Sequence, residues 1–591
     1  MAGRLFTILA LAATLSAQVA LFPLADVKPG LKGIGKTVFA GSEISEFQVE
    51  VLGVLENAGP KQSIILARLS GGPLGRTGVM QGMSGSPVYV EGKLMGAVAL
   101  SFAFSKEPLA GIRPIEEMLR AGGGRGVQRA AVHLTPWERD LTRPFSRRRE
   151  VSAPGARLVE IATPVSFSGF TQATIEHFAP QLRAIGLEPV QGFGGSGSDA
   201  AAGLGDPSLV RPGSMISVLL LSGDLNVGAD GTVTRVDGDH IYAFGHRFLS
   251  VGPTDLPFTR SEVLTLAPNL ATSFKISASR ELMGTITGDY STAVSGVLNR
   301  RAATIPVSIR VASPRPNGAA PAVSEYRIGL VNDRYLSPFL LQMALYSALD
   351  ATERTVGSAT LSLRGRIEFA DGSPPVRVDD MYAGSANIPL QASLGVAAPL
   401  AYLMQAGFDS LRVKSISLAA EVFDERRQWV IDQAWPLRRT VRPGGEVELA
   451  VALIGENGEQ RIRRVRYRVP IGAPEGRLHF TVADAMTTNL TEYMYLIGKR
   501  LQSPARVIAV LNGLRDSTSA YVRVWRARRG FRVDGESLPA PPPSVAMILG
   551  RGQQASAGPG AYTSKIDELT IKVGDAVVTG SKTVQVEVKQ P

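Results

Sequence analysis

Apolar and polar residues alternate with a period of two through much of this chain. In EFQVEVLGVLE, Phe47, Val49 and Val51 are separated by polar residues, which predicts a half-buried strand. SIILARL (63–69) is a short apolar run, and GGPLGRTG after it is loop chemistry. VMQGMSGSPVYVEGKLMGAVALSF (79–102) predicts strand, turn at Glu91-Gly92, and second strand. The same alternation returns in MISVLLLSGDL, GTVTRVDGDHIYAFGH and SFKISASRELMGTITG. It appears again in EVELAVAL and RVRYRV, joined across the hairpin signal Asn457-Gly458, and in IDELTIKV and KTVQVEV near residue 591.

Helical spacing is rarer. IRPIEEMLRA predicts a short helix whose Glu116-Glu117 pair reads as a solvated face. Ile175, Phe178, Leu182 and Ile185 recur three or four apart, an amphipathic helix kinked at Pro180. SPFLLQMALYSALDA predicts a helix with Ser337 as N-cap and Pro338 at its first position. LTEYMYLIGKRL is a helix set among strands.

These elements predict a mainly β protein of several units. Residues 1–20 read as a signal peptide: Arg4, an apolar LFTILALAATL, then small residues. Residues 21–130 form a compact β block, and 131–205 a linker carrying the amphipathic helix, rich in Gly and Arg at its start. Residues 206–400 form a second β block with an added α/β segment. Residues 401–530 read as a β-sandwich with a helix, and 531–591 as a Pro-rich spacer and terminal β-ribbon. No later window is apolar enough to span a bilayer, so the expected location is periplasmic or extracellular, tethered only if the leader is retained.

Composition agrees with that picture. Among 591 residues, 63 Gly and 38 Pro against 6% aromatics favour short strands and turns. The net charge of +11 is scattered, with no basic helix, zinc-finger spacing or RNA-binding signature, so no nucleic-acid partner is expected. The absence of cysteine excludes disulfides and thiolate chemistry. The five histidines lack zinc spacing, and Asp224, Asp230, Asp237 and Asp239 lack that of a calcium loop, so no metal or cofactor is expected. Nothing in the sequence fixes the oligomeric state.

The chemistry centres on Gly82-Met83-Ser84-Gly85-Ser86-Pro87. A serine hydroxyl needs a base and donors for a developing oxyanion. In this pattern the backbone amides of Gly82 and Ser84 are candidate donors, and Gly85 clears space for a substrate backbone. The plain structural reading is a turn that launches a strand.

Residues 66–112 resemble the serine-bearing end of the SpoIVB-type (S55) serine peptidases, which carry Gly-Met-Ser-Gly-Ser-Pro followed by two strands. YAFGH (242–246) is similar to that family's ALGH segment, and MGTITGDYSTAVSG (283–296) to the stretch after it. The resemblance implies chymotrypsin-like β-barrels with Ser84 as nucleophile and His246 as general base. It implies a protein or peptide substrate, in the envelope or in the chain itself. His240, in the turn DGDHIY, is the competing base. The family orders its parts His, Asp, Ser, whereas here the Ser block comes first. The family's aspartate aligns near Ser70-Gly71, and no carboxylate lies between Glu56 and Glu91. The third member therefore comes from elsewhere or is absent: Asp289 is the first candidate, Asp237 and Asp239 the next. Losing a triad acid costs about 10⁴ in turnover. The rival reading is thus a catalytically inactive S55-like scaffold or binding protein.

Overall fold

A computed structural model gives the fold. It describes residues 19–589 except 103–104, 123–135, 137, 146–149, 154–155, 193–202, 271, 316–319, 352–358, 409, 497–502, 534–535, 540–541, 543, 546 and 549–559. Residues 1–18, the body of the expected signal peptide, lie outside the described residues.

The chain is mainly β, as the alternation predicts. Its first sheet contains β1 (Lys32–Ala40), β2 (Glu43–Gly59), β3 (Gln62–Ser70), β4 (Pro87–Val90), β5 (Lys93–Phe102), β6 (Leu109–Pro114), β7 (Glu150–Ala153) and β8 (Ala156–Glu160). The order is β4-β1-β2-β3-β6-β5-β8-β7, and β4 also pairs with β5. That extra pairing closes β1, β2, β3, β6, β5 and β4 into a ring of six antiparallel strands.

The second sheet begins with β9 (Thr163–Ser168), β10 (Leu187–Gln191), β11 (Met215–Gly223), β12 (Asn226–Asp237), β13 (His240–Ala243), β14 (Gly252–Ala267), β15 (Phe274–Asp289) and β16 (Val294–Leu298). It continues through β17 (Thr304–Ser313), β18 (Ala322–Val331), β19 (Ala359–Phe369), β20 (Val376–Gly384) and β21 (Val413–Phe423). Here β12, β13, β16, β15, β14 and β11 close a second antiparallel ring of six. Closing a ring removes exposed sheet edges, and two such rings are the barrel pair that the resemblance implies.

Residues 131–205 are more structured than a linker. β7 and β8 extend the first sheet, and β9 and β10 pair in parallel at the margin of the second. Between β9 and β10 runs the amphipathic helix, residues 172–184, capped by the Thr171 hydroxyl. Local composition hid this, because strand pairing partners lie far off in sequence: β9 pairs with β12.

Among the described residues, the helices α1 (Leu74–Thr77), α2 (Ile115–Gly122) and α3 (Gln172–Ala184) belong with the barrels. α4 (Leu336–Asp350) and α5 (Ile388–Gln405) join the largest hydrophobic cluster, with Val218, Val233 and Phe258 of the second ring. The start of α4 differs from expectation. Asp333, not Ser337, caps it, its carboxylate accepting the Tyr335 and Leu336 N–H groups, while Ser337 is buried as the second residue of the helix, its hydroxyl donating to the Val331 carbonyl. On α2, Glu117 is no solvated residue: it is buried, ion-paired to Arg113 at 3.2 Å, and accepts the Ser63 N–H.

The remaining strands are β22 (Gln428–Pro436), β23 (Thr440–Val441), β24 (Glu446–Gly455), β25 (Gln460–Arg468), β26 (Gly476–Ala483), β27 (Ser519–Val533), β28 (Glu536–Pro539), β29 (Gly560–Lys572), β30 (Val577–Thr579) and β31 (Ser581–Val588). They form a four-stranded and a six-stranded sheet over a shared apolar core. α6 (Ala485–Leu496) and α7 (Pro504–Asn512) lie between β26 and β27. The stretch expected as a separate terminal ribbon is part of this sandwich. β30 pairs with β22, and β31 lies between β23 and β26. Among the described residues, no helix is long and apolar enough to cross a membrane.

Candidate active site

Ser84 lies on the segment between α1 and β4, and residues 80–88 are all buried. Gly82 and Gly85 have φ of +88° and +93°, a conformation that only glycine adopts without strain. A Cβ on Gly85 would sit 2.0 Å from the Thr232 carbonyl oxygen and 2.5 Å from the Phe244 nitrogen. The serine turn is therefore pressed directly onto the second barrel.

Its hydrogen bonds leave a specific remainder. The Met83 N–H donates to the Met80 carbonyl, Gly85 N–H to Val98, and Ser86 N–H to Met83. Among the described residues, the N–H groups of Gly82 and Ser84 find no acceptor. The Ser84 hydroxyl is 0% exposed and also makes no hydrogen bond. Buried polar groups are nearly always paired, so two amides and a hydroxyl left open within three residues need an explanation. The Ser86 hydroxyl is open too, but its own amide is engaged.

The second barrel holds the turn by its carbonyls. Thr232 N–H donates to the Ser84 carbonyl and Thr232 Oγ1 to that of Gly82, both at 2.8 Å, and Thr234 Oγ1 donates to that of Gly85 at 2.7 Å. Anchoring these carbonyls fixes the peptide planes, and hence the directions of the amides, without occupying any donor.

His246 follows β13 on the tight turn Phe244-Gly245. Phe244 has φ +71°, unusual for a bulky residue, and its backbone is the part that meets Gly85. A Cβ on Gly245 would lie 3.2 Å from the Val98 carbonyl, so the histidine turn packs against β5 of the serine barrel. His246 is 2% exposed. Its Nδ1 is 2.7 Å from the Arg247 carbonyl oxygen. A carbonyl only accepts, so the neutral ring carries its proton on Nδ1 and presents a lone pair at Nε2, the tautomer a general base requires. Beside the ring is a cavity of about 10 Å³ lined by Glu160, Thr163, Gly186, Arg247 and Phe248, room for about one water molecule.

Asp289 ends β15 and is buried. Its carboxylate accepts the N–H groups of Phe248, Leu249 and Val251 at 2.8, 2.7 and 3.1 Å. It ties down the loop leaving His246. The other candidates lie elsewhere. His240 is 62% exposed with its Nδ1 2.6 Å from Asp239 Oδ1, and Asp237 pairs with Arg235. His177 stacks on Tyr346 and His479 on Trp525, while His133 lies outside the described residues. Among the described residues, no three His, Asp or Glu side chains converge as a metal site.

Lys275 drew no notice in the sequence, and Asp230 did so only as one of four acidic residues without calcium-loop spacing. Asp230 and Lys275 are 2% and 1% exposed. Asp230 accepts the hydroxyls of Ser166, Ser261 and Ser277, yet burial pushes its carboxyl up to about 6. Burial pushes the Lys275 ammonium down to about 7, against the attraction of the Asp230 charge. Lys275 Nζ is 2.8 Å from Thr37 Oγ1 in the first barrel. The signal was faint: in SFKISAS the charged and hydroxyl positions alternate with apolar ones, as on a solvated strand.

Residues 10–119 match the model of the SpoIVB peptidase S55 family. The chain carries an S55-type peptidase domain. The matched segment contains the first barrel, α1 and the Ser84 turn; His246 and Asp289 lie beyond it. No curated protein matches the chain, and no solved structure does. An S55-type peptidase domain implies serine peptidase chemistry on a protein substrate.

Proposed function

We propose that the protein is an exported serine endopeptidase acting on an envelope protein or on its own chain. One observation carries the reading: the Ser84 hydroxyl and the Gly82 and Ser84 amides are all open, within one turn held rigid from the side of its carbonyls. In the reaction, Ser84 Oγ adds to the scissile carbonyl while its proton passes to His246 Nε2. The two amides donate to the oxyanion. The C–N bond then breaks, the imidazolium returns the proton to the leaving amine, and water hydrolyses the acyl ester. The Arg247 carbonyl holds the Nδ1 proton, the position a triad carboxylate usually serves. Asp289 is a positioning residue that fixes the loop on which that carbonyl stands.

Ser84 is fully buried between the barrels, so turnover needs a rearrangement that admits substrate and brings Oγ to His246. The same burial favours the second reading, a scaffold that keeps the fold without turnover. A fluorophosphonate probe, applied to residues 21–591 beside Ser84→Ala, Ser86→Ala and His246→Ala, separates the two. The peptidase reading expects labelling that survives only in Ser86→Ala. A folded wild type that never labels leaves the scaffold.

A further inference from the structure

Among the described residues, Lys275 is the buried cation that reaches the serine turn, and it crosses from one barrel to the other to do so. Its strand β15 belongs to the second ring, and its Nζ bonds Thr37 on β1 of the first. The stem lies along Gly82: a Cβ there would be 3.2 Å from Lys275 Cδ and 3.4 Å from Cβ and Cγ. The backbones are stitched as well, with Gln81 N–H donating to the Ser273 carbonyl and Lys275 N–H to that of Gln81.

A lysine placed only for stability would be a poor choice here. A buried ammonium with a single hydroxyl partner is costly, and methionine would fill the same space without charge. The charge is instead two bonds beyond a methylene in contact with Gly82, whose amide is one of the two open donors. A positive charge in a water-poor site strengthens nearby donors toward a developing oxyanion and needs no reorganisation to do so.

We propose that Lys275 is a positioning residue of the Ser84 site, its ammonium polarising the Gly82–Ser84 turn toward the oxyanion while its stem fixes the turn between the barrels. This rests on the nucleophile reading of Ser84. The groups facing the ammonium are few. β1 supplies the Thr37 hydroxyl and β12 the charge of Asp230, which in turn accepts the hydroxyls of Ser277 on β15 and Ser261 on β14, while the turn meets Lys275 through the Gln81 backbone. With Lys275 titrating near 7, reactivity falls on the alkaline side as Lys275 loses its proton.

The test is the rate of fluorophosphonate labelling of the full chain from about pH 5 to about pH 9, in the wild type, Lys275→Met and Lys275→Arg. Lys275→Met is expected to lower the rate about tenfold to a hundredfold near pH 6 and to lose the alkaline fall. Lys275→Arg keeps its charge and moves that fall beyond the range. A folded Lys275→Met with the wild-type rate and profile overturns the proposal.

A second readout is independent of turnover. Labelling glutamine with carbonyl ¹³C and glycine with ¹⁵N isolates the two Gln-Gly amides, Gly82 and Gly192. In Ser84→Ala the Gly82 amide is expected to titrate with the lysine and to be flat when Lys275→Met is added, Gly192 serving as control. A Gly82 amide that does not titrate overturns the role of Lys275. An unlabelled wild type whose Gly82 does titrate overturns the nucleophile reading and leaves the lysine's action on the turn standing.

Discussion

β12 carries two buried faces of opposite character. Val227, Ala229 and Val233 join the apolar cluster shared with α4 and α5, while Asp230, Thr232 and Thr234, on the alternate positions, are just as buried. Adjacent β11 repeats the contrast with Val218 beside Ser217. The apolar face gains from every methylene removed from water and tolerates a small shift. The polar face works by position: Thr232 and Thr234 must meet the carbonyls of Gly82 and Gly85, or each leaves a buried acceptor open. One strand thus provides cohesion on one side and alignment on the other.

Gly85→Ala should break the polar side most severely. The new Cβ would meet backbone of both Thr232 and Phe244, at a positive φ, so neither barrel can yield by a rotamer change. We expect a loss of about 4 kcal/mol or more, read as a collapse of the melting transition or of soluble yield. Leu345→Ala in α4 probes the apolar side and should cost about 3 kcal/mol by urea denaturation, leaving the environment of Ser84 as it was. Equal damage to the Ser84 site from both variants would sink the division of labour.

The pH dependence of stability sharpens the comparison, because only the polar face titrates. Asp230 holds its proton to about pH 6 when folded but only to about 3.8 when unfolded. Its contribution is therefore full at low pH and lost as pH rises through 6. Lys275 has lost its proton by about 7 when folded and keeps it to about 10.5 when unfolded, so its contribution returns as pH climbs between those values. Together they predict a stability trough between about pH 6 and 7. Asp230→Asn should remove the acid-side slope, an amplitude of about 2 to 3 kcal/mol, measured as the difference from wild type in denaturant midpoints. The smallest effect expected is that of Thr232→Val, about 1 kcal/mol, with slower fluorophosphonate labelling. A Thr232→Val protein that labels at the wild-type rate would show that its hydroxyl does not align the turn.

Local pattern made much of this legible. The hairpin after Ser84 follows from alternation around Glu91-Gly92, and Asn457-Gly458 joins β24 to β25 as its turn chemistry requires. Ser84, Gly82 and His246 were singled out from their neighbours in sequence, and Gly85 is one of the places where the barrels touch. Ring closure was not legible, since it depends on pairings such as β1 with β4 that no window spans. Nor were Asp230 and Lys275. Period-two alternation gives a strand two faces and labels the polar one as wet, and only the packing of a second barrel reverses that label.

The position of β31 has a consequence for how this protein comes into being. Residues 581–588 sit between β23 and β26, and residues 577–579 extend the opposing sheet beside β22. A ribosome delivers β22 through β26 about a hundred residues before these strands. During that interval the half-built sandwich exposes the flank of β26 where β31 belongs, so this domain completes itself only after its final strands emerge. The barrels, whose rings close with residues 32–114 and 215–298, have no such wait and can be finished while the sandwich is still being made.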